Sequence, residues 1–330
     1  MNRADLLALV DEARRAPSVH NIQPARWALA GDHAFALHAD PARRLPIADP
    51  TGHDVRLSLG AACEGMAIAL ARRGYTLAPP AVSGAALAGQ PVARLDFERF
   101  GVPPDPLGEA VPRRAAYRGT FAKTDPAALD RLEAGVAPTG TIVVRERDRI
   151  RDLANLADRA GAEFLLDPRY WAETWGWLRL SRSHAGWDRD GLNAETLALS
   201  GIERMLGGVL MAPPRFEMMR RMGLAGSLIS ERSKIESAGV LLLFTAPLGE
   251  DPFQTGRAFY RTWLEVTAGG LALCPISVLA DSKATNAEIR GAFAIPAERR
   301  LVNVFRVGAP PKYFPARLTP RLPAGELILG

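Results

Sequence analysis

The chain is nearly devoid of cysteine and of lysine. Only Cys63 and Cys274 occur in 330 residues, far apart and in no CxxC or zinc-ligand spacing. Both sit in apolar stretches, GAACEGMAIAL and GLALCPISVLA, which reads as buried thiols in a reducing cytosol, not a disulfide framework. Of 41 basic residues four are lysine: Lys123, Lys234, Lys283 and Lys312. The arginines are scattered and the net charge is +5, so there is no basic stripe for a nucleic acid. Local arginines at a small anion, such as a phosphate, are still compatible with this pattern. The apolar runs are too short, or too broken by proline and glycine, to span a bilayer. The opening MNRADLLALVDEARR has the pattern of an amphipathic helix with an early acid, not of a secretory signal. The expectation is a cytoplasmic protein with neither a nucleic-acid nor a membrane partner.

Several catalytic signatures are missing too. There is no GxGxxG, no P-loop and no GxSxG elbow. The five histidines, His20, His33, His38, His53 and His184, show no HExxH spacing, and no metal site is expected. A hydrolase, a P-loop NTPase or a zinc enzyme therefore has little support, and chemistry would come from a bound cofactor.

What is present is an ordinary globular mix, 48% apolar and 23% charged. At this length one large domain or two fused modules fit equally well. The patterning predicts a helix over about residues 3–15, a hairpin turning at Gly31-Asp32, a long helix over about 54–73 and a strand in VARLDFERF. The Pro/Gly-rich GVPPDPLGEAVP is the best internal boundary. Beyond it come a strand in TIVVRE, helices over about 149–166 and 168–181, a buried strand in AGVLLLFTAP and a long helix over about 251–270. ALCPISVLA reads as extended, TNAEIRGAFAI as a short helix and RLVNVFRVGAP as a closing strand. Residues 185–237, rich in glycine, methionine and arginine, read as an inserted segment rather than scaffold. The two parts echo each other in outline, each with an arginine-bearing loop, a long helix and a strand.

Four segments carry the chemistry. RRAPSVHNIQPARW places Ser18 and Asn21, which match both donors and acceptors, between Pro17 and Pro24, which fix the backbone. By itself the loop is equally well explained as a cap between helix and hairpin. PRRAAYRGTF carries Arg114 and Arg118, a pair that is more often a solvated face. GRAFYRTWLEVTAGGLALCPISVLAD ends in Pro275, Ile276 and Ser277, and a buried helix and strand would explain it too. The tail RVGAPPKYFPARLTPRLP offers Lys312, Arg317 and Arg321, or simply a solvated end.

Taken together and in this order, the four segments resemble the FMN-dependent nitroreductase superfamily. The first is similar to its APSxxNxQPW loop at Pro17, Ser18, Asn21, Gln23 and Pro24, with Ala25 in the place of tryptophan. The second is similar to its RRSxRxF motif at Arg114, Arg118 and Phe121, with Ala116 where Ser or Thr is usual. HADPARRLPIADPTGHDVRLSLGAACEGMAIAL and SHAGWDRDGLNAET resemble the dormancy-associated, Acg-like branch, in which two modules are fused in one chain.

The resemblance implies an α+β nitroreductase fold with mixed or antiparallel sheets flanked by helices. It implies modules over 1–111 and 112–330, forming a pseudo-dimer with a lid over 185–237. It implies FMN as cofactor and NADH or NADPH as reductant. Pro17, Ser18, Asn21 and Gln23 would face the flavin ring, and Pro275, Ile276 and Ser277 its N5 edge. Arg114, Arg118, Arg317 and Arg321 would take the phosphate. No side chain is assigned as catalytic, with Ser277 and His20 the nearest candidates. The partner would be a small electron acceptor, a nitroaromatic or a quinone; the alternative is a flavin-storing protein whose lid prevents turnover. The protein would be a monomer acting as a pseudo-dimer, or a homodimer.

Overall fold

The structure, a computed structural model, describes residues 1–83, 89–101, 103–199, 201–312 and 319–330, without the side chains of Ile202, Met205, Leu206, Ser227 and Leu228. The first helix, α1 (Arg3–Ala13), is fixed by a reciprocal cap. Asn2 Oδ1 accepts from the N–H groups of Ala4 and Asp5 at 2.9 and 3.0 Å, and the Asp5 carboxylate accepts from Asn2 N–H at 2.9 Å. The 17–24 loop follows, then the hairpin β1 (Ala25–Leu29) and β2 (Ala34–Ala39). The long helix α2 (His53–Ala71) leads to β3 (Tyr75–Leu77), β4 (Ala81–Val82) and β5 (Ala93–Arg99). These strands form one antiparallel sheet in the order β1-β2-β5-β3, with β4 also on β5. Along β5 buried and exposed residues alternate, as expected when one sheet face is left to solvent.

After the 3-10 turns of Pro106–Arg113 come α3 (Pro126–Val136), β6 (Ile142–Val144), α4 (Arg147–Leu165) and α5 (Pro168–Gly176). A short parallel pair, β7 (Leu178–Arg179) and β8 (Leu192–Asn193), precedes four small helices, α6 (Gly201–Leu210), α7 (Pro213–Arg221), α8 (Ala225–Ile229) and α9 (Arg232–Glu236). Then come β9 (Val240–Pro247), α10 (Pro252–Ala268), β10 (Ala272–Pro275), α11 (Val278–Asp281), α12 (Lys283–Ala292) and β11 (Arg299–Gly308). The second sheet, β10-β11-β9-β6, is also antiparallel. Its central strand β9 is buried over seven of eight residues, because helices cover both faces. An Asp-Pro step starts each of α3, α5 and α10, the aspartate capping and the proline supplying a preset first turn.

The two long helices meet at glycine. A Cβ on Gly60 would lie 1.8 Å from the Phe253 carbonyl oxygen, and one on Gly256 would lie 1.9 Å from that of Leu57. The helix backbones therefore touch directly, a contact open only to glycine. Ion pairs flank the crossing. Arg56 grips both oxygens of Asp251 at 2.6 Å. The buried Glu64 accepts from Arg257 and Arg261 at 2.8 Å, and Arg261 reaches on to Asp105 at 2.7 Å.

The first core draws Phe253, Tyr260 and Leu264 from α10 and Leu322 and Leu327 from the tail. The tail returns to the first sheet, where Leu329 N–H donates to Trp27 O at 2.7 Å.

The α+β class expected from the sequence is what the structure has, and three local readings change. ALCPISVLA is not extended throughout, because α11 begins at Val278. The helix after Pro168 ends at Gly176, not near 181. Residues 185–237 are not wholly separable from the scaffold: Trp171 and Phe216 form a small cluster of their own, but Ile235 is fully buried in the second core. Among the described residues no helix is long and apolar enough to cross a membrane.

Candidate functional site

The 17–24 loop is held in an unusual backbone. His20, Asn21 and Gln23 have φ of 44°, 55° and 52°, left-handed values uncommon for residues other than glycine. Side chains enforce them. Ser18 Oγ accepts from Gln23 N–H at 2.9 Å. Asn21 is buried, and its Nδ2 donates to the carbonyls of Gly191 and Pro320, both at 3.0 Å. Gln23 Nε2 donates to Arg189 O at 2.8 Å, and its Oε1 accepts from Leu322 N–H at 2.8 Å. Both amides are thus engaged by the chain itself. They tie together the loop, the Asp190-Gly191 turn and the tail.

That turn is anchored independently. Asp190 accepts from Arg179 at 2.9 Å and pairs with Arg43 at 3.0 Å, and Arg43 also lies 3.7 Å from Asp40. Gly191 has φ 65°, and a Cβ there would sit 2.3 Å from Trp177 O. The two stretches that carried the branch resemblance, around Asp40 and around Asp190, are therefore joined through Arg43.

Basic residues gather at the carboxyl end of α1. Arg321 Nε donates to Arg14 O at 2.7 Å, its Nη1 to Asn21 Oδ1 at 2.8 Å, and its Nη2 to Arg15 O and Ala16 O. Arg114 is 6% exposed and donates to Arg15 O at 2.8 Å. Its guanidinium carbon lies 4.6 Å from the Trp263 ring centroid and 5.9 Å from that of Tyr260. These carbonyls lie in the turn just past the carboxyl end of α1, where the helix dipole also favours cations. Burial lowers the pKa of Arg321 well below its ordinary value, and the charge of Arg114 pushes the same way. Burial also lowers Arg114. Arginine stays protonated even so, which makes this a crowding of positive charge. The Arg114 Nε and the Trp263 Nε1 are buried without a hydrogen-bond partner, and both are donors.

Arg118 is half-buried and donates to Thr196 O at 3.3 Å. His20 lies close enough to feel its charge. Burial first, and then Arg118, lower the imidazole from 6.5 to about 4, so the ring is neutral at pH 7. Its Nδ1 is buried and unpartnered.

Of the remaining predicted residues, Pro17 and Ser18 line a recess of ≈ 20 Å³, room for about one water. Pro275 ends β10. The N–H of Ile276 is committed to Val304 O at 2.7 Å, so it belongs to the sheet and is not free for a ligand. Ser277 caps α11. Lys312 is exposed, and Arg317 lies outside the described residues. A larger recess of ≈ 290 Å³, between Ile47–Ala48 and the α4–α5 corner, contains Glu163, Asp167 and Tyr170 and none of the predicted residues.

Sequence reasoning missed two participants. Trp263 and Tyr260 lie in a segment that reads as a simple buried helix, yet both rings stand against Arg114. Their spacing on α10 gave no signal. Only the position of Arg114 beside that helix reveals the role. The acidic group around α2 was also missed. Burial and the charge of Asp49 raise Asp54 to about 7, and the Asp54 charge acts in turn on Asp281 and Tyr170.

No family model matches the chain. Curated relatives do, along nearly its whole length. The Mycobacterium tuberculosis protein Acg, provisionally named an NAD(P)H nitroreductase, is 26% identical over 346 residues, covering 97% of this chain and 93% of Acg. A second protein of that organism with the same kind of name is 26% identical over 334 residues, covering 96% and 88%. A third, uncharacterised, is 27% identical over 334 residues, covering 96% and 90%. A solved nitroreductase with bound FMN from Bacteroides fragilis gives a TM-score of 0.37 at 11% identity, covering 64% of this chain and 91% of that one. The resemblance to the nitroreductase superfamily and its Acg-like branch is borne out by the curated relatives.

Proposed function

We propose that this chain, similar to Acg-like nitroreductases from end to end, is an FMN-binding oxidoreductase. Its one site would lie between the 17–24 loop and the segments around Arg114, Arg118 and Ser277. The observation that carries the reading is a buried arginine whose charge has no counter-charge, with unpartnered polar atoms around it. Arg114 is buried and, among the described residues, pairs with no carboxylate; its Nε is unpartnered, as are Trp263 Nε1 and the Tyr260 hydroxyl on the rings beside it. Such a cluster calls for a buried anion, and the phosphate of FMN supplies one.

When bound, FMN supplies hydride acceptance and release at ring N5. The chain's own residues would do the rest. Arg114 and Arg118 would hold the phosphate, with Arg321 fixing the α1 end against which it sits. Ser18, Asn21 and Gln23 keep the loop in its left-handed form, so little ordering is left to the moment of binding. The next N–H in line after the committed Ile276 is that of Ser277, which would face the reactive edge. NADH or NADPH is the proposed reductant, and a nitroaromatic or quinone the proposed acceptor. In this reading the chain divides at about residue 111 into modules 1–111 and 112–330, each contributing one wall, so that one polypeptide makes one site.

A second reading, flavin storage, is favoured by the covering segment. Arg189, Gly191 and Thr196 all accept hydrogen bonds from site residues, which supports a cover over the loop from the start of the 185–237 segment. Adding NADH or NADPH to the FMN-loaded protein separates the two. Rapid bleaching of the flavin absorbance followed by turnover of a nitrofuran supports the enzyme. FMN that stays oxidised supports the store.

A further inference from the structure

The three left-handed residues of the 17–24 loop are not equivalent. The conformations of Asn21 and Gln23 are stabilised by the hydrogen bonds of their own amides. His20 has the same unfavourable backbone, φ 44° and ψ 18°, and its ring Nδ1 makes no bond. Left-handed strain in a residue other than glycine persists only where its surroundings over-determine it, and it gathers at ligand sites. Burying a polar nitrogen without a partner adds a further cost. Among the described residues no hydrogen bond to the His20 Nδ1 offsets these costs.

Arg118 narrows what is missing. With an unprotonated Nδ1 the ring would be an acceptor and could take an N–H from the neighbouring guanidinium, yet no such bond forms. With the proton on Nδ1 both groups are donors, the ring nitrogen is left without a partner, and Arg118 lies close enough for its charge to act on the ring. Among the described residues Arg118 makes one hydrogen bond, a long one to Thr196 O at 3.3 Å. An oxygen atom carrying negative charge satisfies both groups together.

We propose that His20 is a ligand-contacting residue whose Nδ1–H, with the Arg118 guanidinium, holds an anionic oxygen of the bound flavin nucleotide. This rests on the flavin reading above. The oxygen belongs either to the phosphate or to the carbonyl edge of the ring, and the two are separable because riboflavin has the ring without the phosphate.

The test is titration of the wild-type chain, His20→Leu and His20→Asn with FMN and with riboflavin, followed by flavin fluorescence, beside thermal melts without flavin. Asparagine accepts the left-handed backbone and brings an amide donor; leucine brings none. The expected result is that His20→Leu weakens FMN about tenfold, the worth of one charge-assisted hydrogen bond, while His20→Asn retains most of the affinity. A loss for FMN alone assigns the oxygen to the phosphate, and a loss for both ligands assigns it to the ring. Unchanged affinity in His20→Leu overturns the proposal. So does an equal loss in both variants, which would trace to the loop backbone. A wild-type chain that binds neither flavin overturns the flavin reading and this inference with it, whereas wild-type binding matched by His20→Leu overturns this inference alone.

Discussion

The crossing of α2 and α10 and the corner beside α1 are built to opposite rules. At the crossing, backbone meets backbone through Gly60 and Gly256, and the charged groups around it find partners: Arg56 with Asp251, and Glu64 with Arg257 and Arg261. At the corner, the buried Arg114 and the partly buried Arg321 lie near each other with no carboxylate partner among the described residues, and His20, Arg114 and Trp263 leave buried nitrogens unpartnered. The first region holds the chain together. The second carries an unmet need for negative charge, which in a folded protein is a mark of function rather than of stability.

The largest effect is expected where the contrast is sharpest. Gly60→Ala or Gly256→Ala forces the two helices apart and should cost about 3 kcal/mol or more, the upper range for overpacking a rigid contact. Chemical denaturation measures it, and a loss below about 1 kcal/mol would mean that the crossing is not rigid. At the corner, Arg114→Ala should weaken FMN binding by roughly 1.5–3 kcal/mol, the scale of a charged hydrogen bond. Unchanged affinity in the same fluorescence titration would remove Arg114 from the site. Asn21→Ala tests the seam between the regions. Losing the bonds to Gly191, Pro320 and Arg321 should cost about 2 kcal/mol of folding stability, read as a lowered melting temperature. A stable variant with altered flavin affinity would instead make Asn21 a direct ligand.

The smallest effect concerns pH, where two groups oppose each other. Asp54 is raised to about 7, so the folded chain binds its proton more tightly than the unfolded one. The stability this gives is full below about pH 4 and is lost as pH rises through 7. His20 is lowered to about 4, so its contribution is full above about 6.5 and is lost as pH falls through 4. Asp54→Asn should therefore make stability fall more steeply on acidification, and His20→Asn should make it fall less steeply. Each slope change is at most about 1.4 kcal/mol per pH unit. Melts between pH 4.5 and 7 report both, and parallel curves for variant and wild type would contradict the assignments.

Much of this was legible in the sequence. The Asp-Pro starts, the Gly31-Asp32 turn and the long apolar helices are local signals, and local physics decides them. Arg114, Arg321 and Asn21 were also found from their motifs, and the fold brings them to one corner from positions about three hundred residues apart. What could not be read is how their donors are spent. Asn21 and Gln23 looked like flavin ligands, because an amide near a ligand motif cannot reveal that Gly191, Arg189 and the tail will claim it first. The N–H of Ile276 likewise goes to Val304 O, a sheet partner that sequence spacing does not specify. The glycines at the crossing were silent for the same reason: a glycine within a helix declares itself only when the other helix arrives.

The central claim is that the unmet charge at the corner belongs to one flavin nucleotide per chain. Titration of the purified protein with FMN, followed by quenching of flavin fluorescence, tests it directly. The account predicts saturable binding of one FMN per chain that is weakened in Arg114→Ala. A chain that binds no FMN, or binds it equally well without Arg114, would contradict it.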